Sequence, residues 1–243
     1  NGVKNIFGNQ ETADALNKSG YFFSSANSIN CGRLAPQIVY YVSAYCDLIK
    51  SKKIKNGDKV NVCVPTGNFG NILAAYIAKQ AGLPFGKLIC ASNSNNVLTD
   101  FLKTGVYDRN RKFFTTTSPS MDILISSNLE RLMYMLHGED DAAVRELYAS
   151  LKDNGMFEIS ADVLAKINEV YAAGCCDDEE TKKTIHDVYE KYNYLSDTHT
   201  AVAVNVYEQY VEKTGDNTPA VIASTASPYK FSKSVLQAVA PNA

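Results

Sequence analysis

"KVNVCVPTGNFGNILAAYIAKQAGLPFGKLICAS", residues 59–92, decides the fold of this chain. Residues 60–65 are almost wholly apolar, as expected of a central parallel strand covered on both faces. Gly67 and Gly70 then frame an Asn-Phe pair. Asn71 opens a helical run to Ala81, and Gly82 suits the left-handed residue that ends a helix. "GKLICAS" is a second strand. Strand, glycine elbow, helix and strand make a βαβ unit, whose crossover is expected to be right-handed.

The elbow poses the chemical question. Backbone N–H groups converging at a helix N-terminus form a concave anion site. Glycines allow the curvature and the close approach, while Asn68 and Asn71 tolerate left-handed geometry or donate from their side chains. No Gly-Lys-Ser/Thr follows and the spacing is not GxGxxG, so the elbow suits one terminal phosphate better than a pyrophosphate. The same spacing also serves a glycine turn that caps a helix and holds no ligand.

Working outward, "YFFSSANSINCGRLAPQIVYYVSAYCDLI" (21–49) starts extended, breaks, and turns helical. Leu34, Ile38, Tyr41, Val42 and Tyr45 recur at helical spacing, with Pro36 expected in the first turn. "NSNNVLTDFLKTG" reads as a helix ending at Gly105. "KFFTTTSPSMDI" reads as strand-like up to a turn at Pro119, and a long helix follows. Residues 139–190 are charged and read as three helices, the second capped by Ser160. A further helix over "SDTHTAVAVNVYEQYVEKTG" and a late strand, "PAVIAST", close the pattern. There is no internal repeat.

The totals set bounds. Apolar residues make up 45% of 243, charged residues 21%, an ordinary globular balance. With 24 Lys plus Arg against 26 Asp plus Glu the net charge is −2, so no nucleic-acid footprint and no polybasic membrane patch is expected. No apolar run approaches the roughly 20 residues of a membrane span, and no signal peptide is read. The six cysteines include no CxxC. They read as free thiols of a cytoplasmic protein, with no metal site and an incidental Cys175-Cys176 pair.

Taken in order, several segments resemble threonine synthase, a pyridoxal 5'-phosphate (PLP) enzyme of fold type II, in its longer bacterial and fungal branch. They are "NSINCGRLAPQIVYY", "VPTGNFGN", "TSPSMDI", "DTHTAVA" and "STASPYKF", and the likeness runs over essentially the whole chain. The resemblance implies an α/β fold: a mainly parallel sheet flanked by helices, the large PLP domain, with a helical insertion. The expected division is 1–127 for the core with the phosphate loop, 128–196 for the insertion and 197–243 for the return to the core.

The resemblance also implies roles. Gly67, Asn68, Phe69, Gly70 and Asn71 would hold the PLP phosphate, and Thr225 would stand at the pyridine nitrogen, where a hydroxyl makes a gentler electron sink than a carboxylate. Without the resemblance, Thr225 reads as a strand-end hydroxyl satisfying nearby backbone. Ser28, Asn30 and Arg33 would line the substrate cleft, Arg33 suiting bidentate phosphate contact; their alternative is an N-cap and a surface ion pair. Asp197, His199 and Thr200 match a family segment without a chemical role, His199 reading as a hydrogen-bonded structural residue. His137 and His186 read as solvated, and Lys230 as a surface lysine or an anion contact.

No catalytic residue is expected in this chain. The family's Schiff-base lysine lies in a Ser-Phe-Lys-Asp-like motif upstream of the region matched. The one Lys-Asp here, Lys152-Asp153, sits in a charged helix end. Together with a start that lacks Met, this gives the expectation of a C-terminal portion, completed by the missing N-terminal part of the same enzyme. The parent activity implied is conversion of O-phospho-L-homoserine and water to L-threonine and phosphate. The alternatives are another fold type II lyase or dehydratase, or a non-catalytic phosphate-binding module.

Overall fold

The computed structural model describes residues 6–24 and 26–240. Helices α1 (Gln10–Lys18) and α2 (Cys31–Lys50) lead into strand β1 (Val60–Pro65), helix α3 (Gly70–Gln80) and strand β2 (Phe85–Ser92). Helix α4 (Val97–Thr104), strand β3 (Val106–Asp108), helices α5 (Leu129–Leu136) and α6 (Asp141–Asp153), and strand β4 (Met156–Glu158) follow. The chain continues through α7 (Ala161–Val170), β5 (Tyr171–Cys175), α8 (Asp178–Tyr192), α9 (Thr198–Thr214), β6 (Ala220–Ile222) and α10 (Ser232–Val239). Strands β5, β2, β1 and β6, in that spatial order, form one parallel sheet, while β3 and β4 pair antiparallel beside it. The α/β architecture read from the sequence is the one found.

The alternation of strand side chains builds two cores. Val60, Val62 and Val64 of β1, with Leu88 and Cys90 of β2, face a large cluster that includes Leu34 and Tyr41 of α2 and Leu73 of α3. Cys63, Ile89 and Ala91 point the other way, onto Val202, Ala203 and Val206 of α9. Both faces of β1 are thus covered, which explains why it is apolar without a break. Among the described residues no helix is long and apolar enough to cross a membrane, and no cluster of His, Cys, Asp or Glu could hold a metal ion.

Four local readings change. The "YAAG" end of an expected helix belongs to strand β5, paired in register with β2 from Leu88–Tyr171 to Ser92–Cys175. Residues 128–196 are therefore not purely helical, since they contain β4 and supply an outer strand of the main sheet. Helical periodicity lost here to tertiary fit. A Cβ on Gly174 would lie 2.8 Å from Val206 Cγ1, so the small residues of this segment let the strand press against α9. The expected strand near 112–116 is irregular, because the Asp122 carboxylate gathers Thr116 N at 3.0 Å and Asn93 Nδ2 at 2.8 Å into a loop. The helix expected after it is short, Leu129–Leu136. Pro36 lies inside α2 rather than in its first turn.

Candidate functional site

The elbow after β1 is anchored by its carbonyls and leaves its amides open. Ser126 Oγ donates to Gly67 O at 3.0 Å, and Asn128 donates to Asn68 O from its backbone at 3.1 Å and from Nδ2 at 2.9 Å. Among the described residues no group accepts a hydrogen bond from the amides of Gly67, Asn68, Phe69, Gly70 or Asn71. Five consecutive donors at the mouth of α3 are the arrangement that receives an anionic oxygen group.

The glycines serve proximity here, and the left-handed residue is Phe69, at φ 63°. Neither Asn68 nor Asn71, read as tolerating that geometry or donating from the side chain, adopts it. A non-glycine residue there costs on the order of 1 kcal/mol. Phe69 is held to it because its ring is 1% exposed and sits 5.9 Å from the Tyr171 ring. A Cβ on Gly67 would come 2.5 Å from the Ser120 carbonyl oxygen, and one on Gly70 would come 3.3 Å from Asn128 Nδ2. Larger residues would push the loop off its supports.

The second arm arrives from the far end of the chain. Beyond β6, Ser224 and Thr225 line a cavity of about 400 Å³ together with Tyr40, Tyr41, Asn71 and Ala223. Asn71 and Thr225, assigned to one cofactor by the resemblance, therefore share a cavity. Tyr41, 4% exposed, donates its hydroxyl to Asn71 Oδ1 and so directs the amide end of that side chain. Burial pushes the Tyr41 hydroxyl well above its ordinary pKa, so it stays a donor. Another cavity, of about 300 Å³, lies against β5 between Lys103 and Lys213 and holds none of the expected site residues.

The three residues expected at the substrate cleft divide. Ser28 joins the loop, its Cβ 3.9 Å from where a Cβ of Gly70 would stand. Asn30 caps α2, its Oδ1 accepting from Gly32 N at 2.8 Å. Arg33 is exposed and donates from Nη1 to Ala26 O at 2.6 Å. Lys230 is exposed beside the Phe231 ring.

Several residues that sequence reasoning left without a role support the site. Arg131 donates to Asn128 Oδ1 and, at 2.6 Å, to Ile29 O, which joins the 27–30 segment to the loop. Asp197 and His199 are 1% and 2% exposed. The Asp197 carboxylate accepts from the backbone amides of His199 at 2.8 Å and Thr200 at 3.3 Å. Burial raises its pKa, but hydrogen bonds from His199 and Thr200 outweigh that and hold the carboxyl below its ordinary value. Ser120 N donates to His199 Nε2 at 3.2 Å, which leaves the ring hydrogen on Nδ1, 3.2 Å from Asp197 Oδ1. The signal for this network was an Asp directly before a helical run, which also reads as an ordinary cap.

Known proteins share this arrangement of sequence and fold. The family described as "Threonine synthase, C-terminal" matches residues 200–242. Human "Threonine synthase-like 1" is 45% identical over 239 residues, covering 98% of this chain and 32% of its own length. Threonine synthase of Saccharomyces cerevisiae is 39% identical, covering 98% of this chain and 47% of its own. The crystal structure of PLP-bound threonine synthase from Brucella melitensis superposes with a TM-score of 0.86 at 43% identity, over 98% of this chain and 48% of that one. The chain thus spans about half the length of these threonine synthases and a third of the human relative. The likeness to threonine synthases is held across nearly every residue of this chain, and its last part matches the model of their C-terminal region.

Proposed function

We propose that this chain is the cofactor-holding portion of a PLP-dependent enzyme that converts O-phospho-L-homoserine and water to L-threonine and phosphate. One observation carries the reading: five amides without an acceptor among the described residues, Gly67 to Asn71, stand at a helix N-terminus whose Asn71 shares a cavity with Thr225. When bound, PLP supplies the electron sink for chemistry at the carbons of an amino acid. The chain's part is to bind and orient. The amides of Gly67, Asn68, Phe69, Gly70 and Asn71 receive the phosphate, with Tyr41 directing Asn71. The Thr225 hydroxyl meets the pyridine nitrogen without the charge that would keep it protonated.

No lysine is among the residues lining the cavity. The covalent lysine is assigned to the remainder of the enzyme, which is the partner this chain requires. The substrate is a small molecule, with no nucleic acid or membrane involved, and the six free cysteines suit the cytoplasm.

The test is titration of the chain with PLP, followed by 31P NMR. Binding competed by inorganic phosphate and lost in Gly67→Val supports the reading. No binding at millimolar PLP overturns it. Assay of the chain combined with the lysine-bearing remainder then asks for phosphate release from O-phospho-L-homoserine.

A second reading, a lyase or dehydratase for another phosphorylated or hydroxy amino acid, draws on one observation. The Arg33 guanidinium is engaged by the Ala26 carbonyl. A chain that binds phosphate but supports no turnover in the combined assay would instead be a phosphate-binding module.

A further inference from the structure

We propose that Asp197 and His199 are positioning residues that lock the two arms of the cavity, the Gly67–Asn71 loop and the Ser224–Thr225 segment, to each other. This rests on the reading of the cavity as a PLP site and adds residues to which that reading gives no part.

From one carboxylate, hydrogen bonds run to both arms. Towards the loop, Asp197 Oδ1 accepts from His199 Nδ1, and His199 Nε2 accepts the Ser120 amide at 3.2 Å. Ser120 in turn presses its carbonyl oxygen against Gly67, where a Cβ would sit only 2.5 Å away. A shift of Ser120 is therefore passed to the first amide of the loop. Towards the other arm, Thr200 Oγ1 gives its one hydrogen to Asp197 Oδ2 and stands 3.2 Å from Ser224 Oγ, next to Thr225.

A cap alone does not account for this. Asp140 and Asp177 cap their helices from exposed positions. Asp197 is instead buried with a buried histidine, and the cost of removing a carboxylate from water is met by four donors from His199 and Thr200. Helix start and loop turn are joined through a ring whose two nitrogens are both engaged, so neither can move without breaking a buried hydrogen bond.

The two arms can be uncoupled separately. Kd for inorganic phosphate is read by 31P NMR and Kd for PLP by fluorescence, on the whole 243-residue chain. His199→Leu, which cannot accept from Ser120, should raise the Kd for inorganic phosphate about tenfold, roughly the value of one well-placed hydrogen bond. His199→Gln, which keeps an acceptor and a donor, should restore most of it. Thr200→Val should leave phosphate binding within about twofold and raise the Kd for PLP about tenfold.

Folded variants, checked by near-UV circular dichroism, that bind both ligands as wild type does overturn the positioning role while leaving the site reading intact. A wild-type chain that takes neither ligand overturns both. Where a variant fails to fold, 15N NMR of His199 in the wild-type chain decides: hydrogen on Nδ1 with Nε2 accepting is expected, and hydrogen on Nε2 overturns the proposal.

Discussion

Tyr41 of α2 donates its hydroxyl to Asn71, the second residue of α3, and so one core helix holds the side chain at the mouth of another. Tyr41→Phe keeps the ring in the core and removes only that donor. Stability should fall by about 1 kcal/mol, and PLP affinity several-fold, because Asn71 is then free to turn its oxygen toward the phosphate. Urea denaturation and ligand titration together measure both effects.

Gly67→Ala should destabilise the chain by about 1–3 kcal/mol, since the new Cβ meets backbone at Ser120 that cannot yield without moving the turn. Gly70→Ala should cost less, because its neighbour at 3.3 Å is the end of the Asn128 side chain. Equal costs in chemical denaturation would contradict the close approach as the reason for Gly67.

Acid should unfold the chain through its low carboxyls. Asp197 is held below its ordinary pKa despite burial, and Asp216 is held below by hydrogen bonds from Thr218, Tyr210 and Asn61. A depressed carboxyl contributes stability above its unfolded-state value, about pH 4, and loses it as pH falls through the folded-state value. Stability should therefore be level from neutral pH down to about pH 4 and decline below it. In Asp197→Asn that acid decline should be shallower, and thermal melts across pH 2–7 would show it.

Two thiols should react fast. Cys31 and Cys46 are exposed, whereas Cys63, Cys90 and Cys176 are buried. Burial pushes the Cys90 and Cys176 thiols up to about 12 and Cys63 higher still, so little thiolate is present at neutral pH. Labelling with a chromogenic disulfide should count two rapid groups in the folded chain and all six after denaturation.

Arg33→Ala should leave stability within about 0.5 kcal/mol, as an exposed residue with one local bond. In the combined assay it separates two substrate readings. Activity on O-phospho-L-homoserine should collapse if Arg33 swings to the substrate phosphate, whereas an enzyme for an unphosphorylated amino acid should keep its activity on that substrate.

The βαβ unit was legible because β1, α3 and β2 each carry an unambiguous local pattern. Strand β5 was not, because Tyr171-Ala-Ala-Gly continues the helical run of α7 and becomes extended only through pairing with β2 and packing on α9. The loop's place between β1 and α3 was legible, yet its left-handed residue was not. Local preference points to glycine or asparagine, and the buried ring of Phe69 overrides it. The joint of Asp197, His199 and Ser120 escaped because its partners lie far apart along the chain, and each alone reads as an ordinary cap or turn.

Asn71 and Thr225 share one cavity although most of the chain separates them, and β6 reaches its place beside β1 only after every other strand has been made. Such a site has a high contact order, so its closure is a late event that local helix formation cannot hasten. During synthesis, the loop after β1 emerges long before the segment that shares its cavity. Loss of the last few dozen residues would therefore remove one wall of that cavity before it cost the molecule most of its secondary structure.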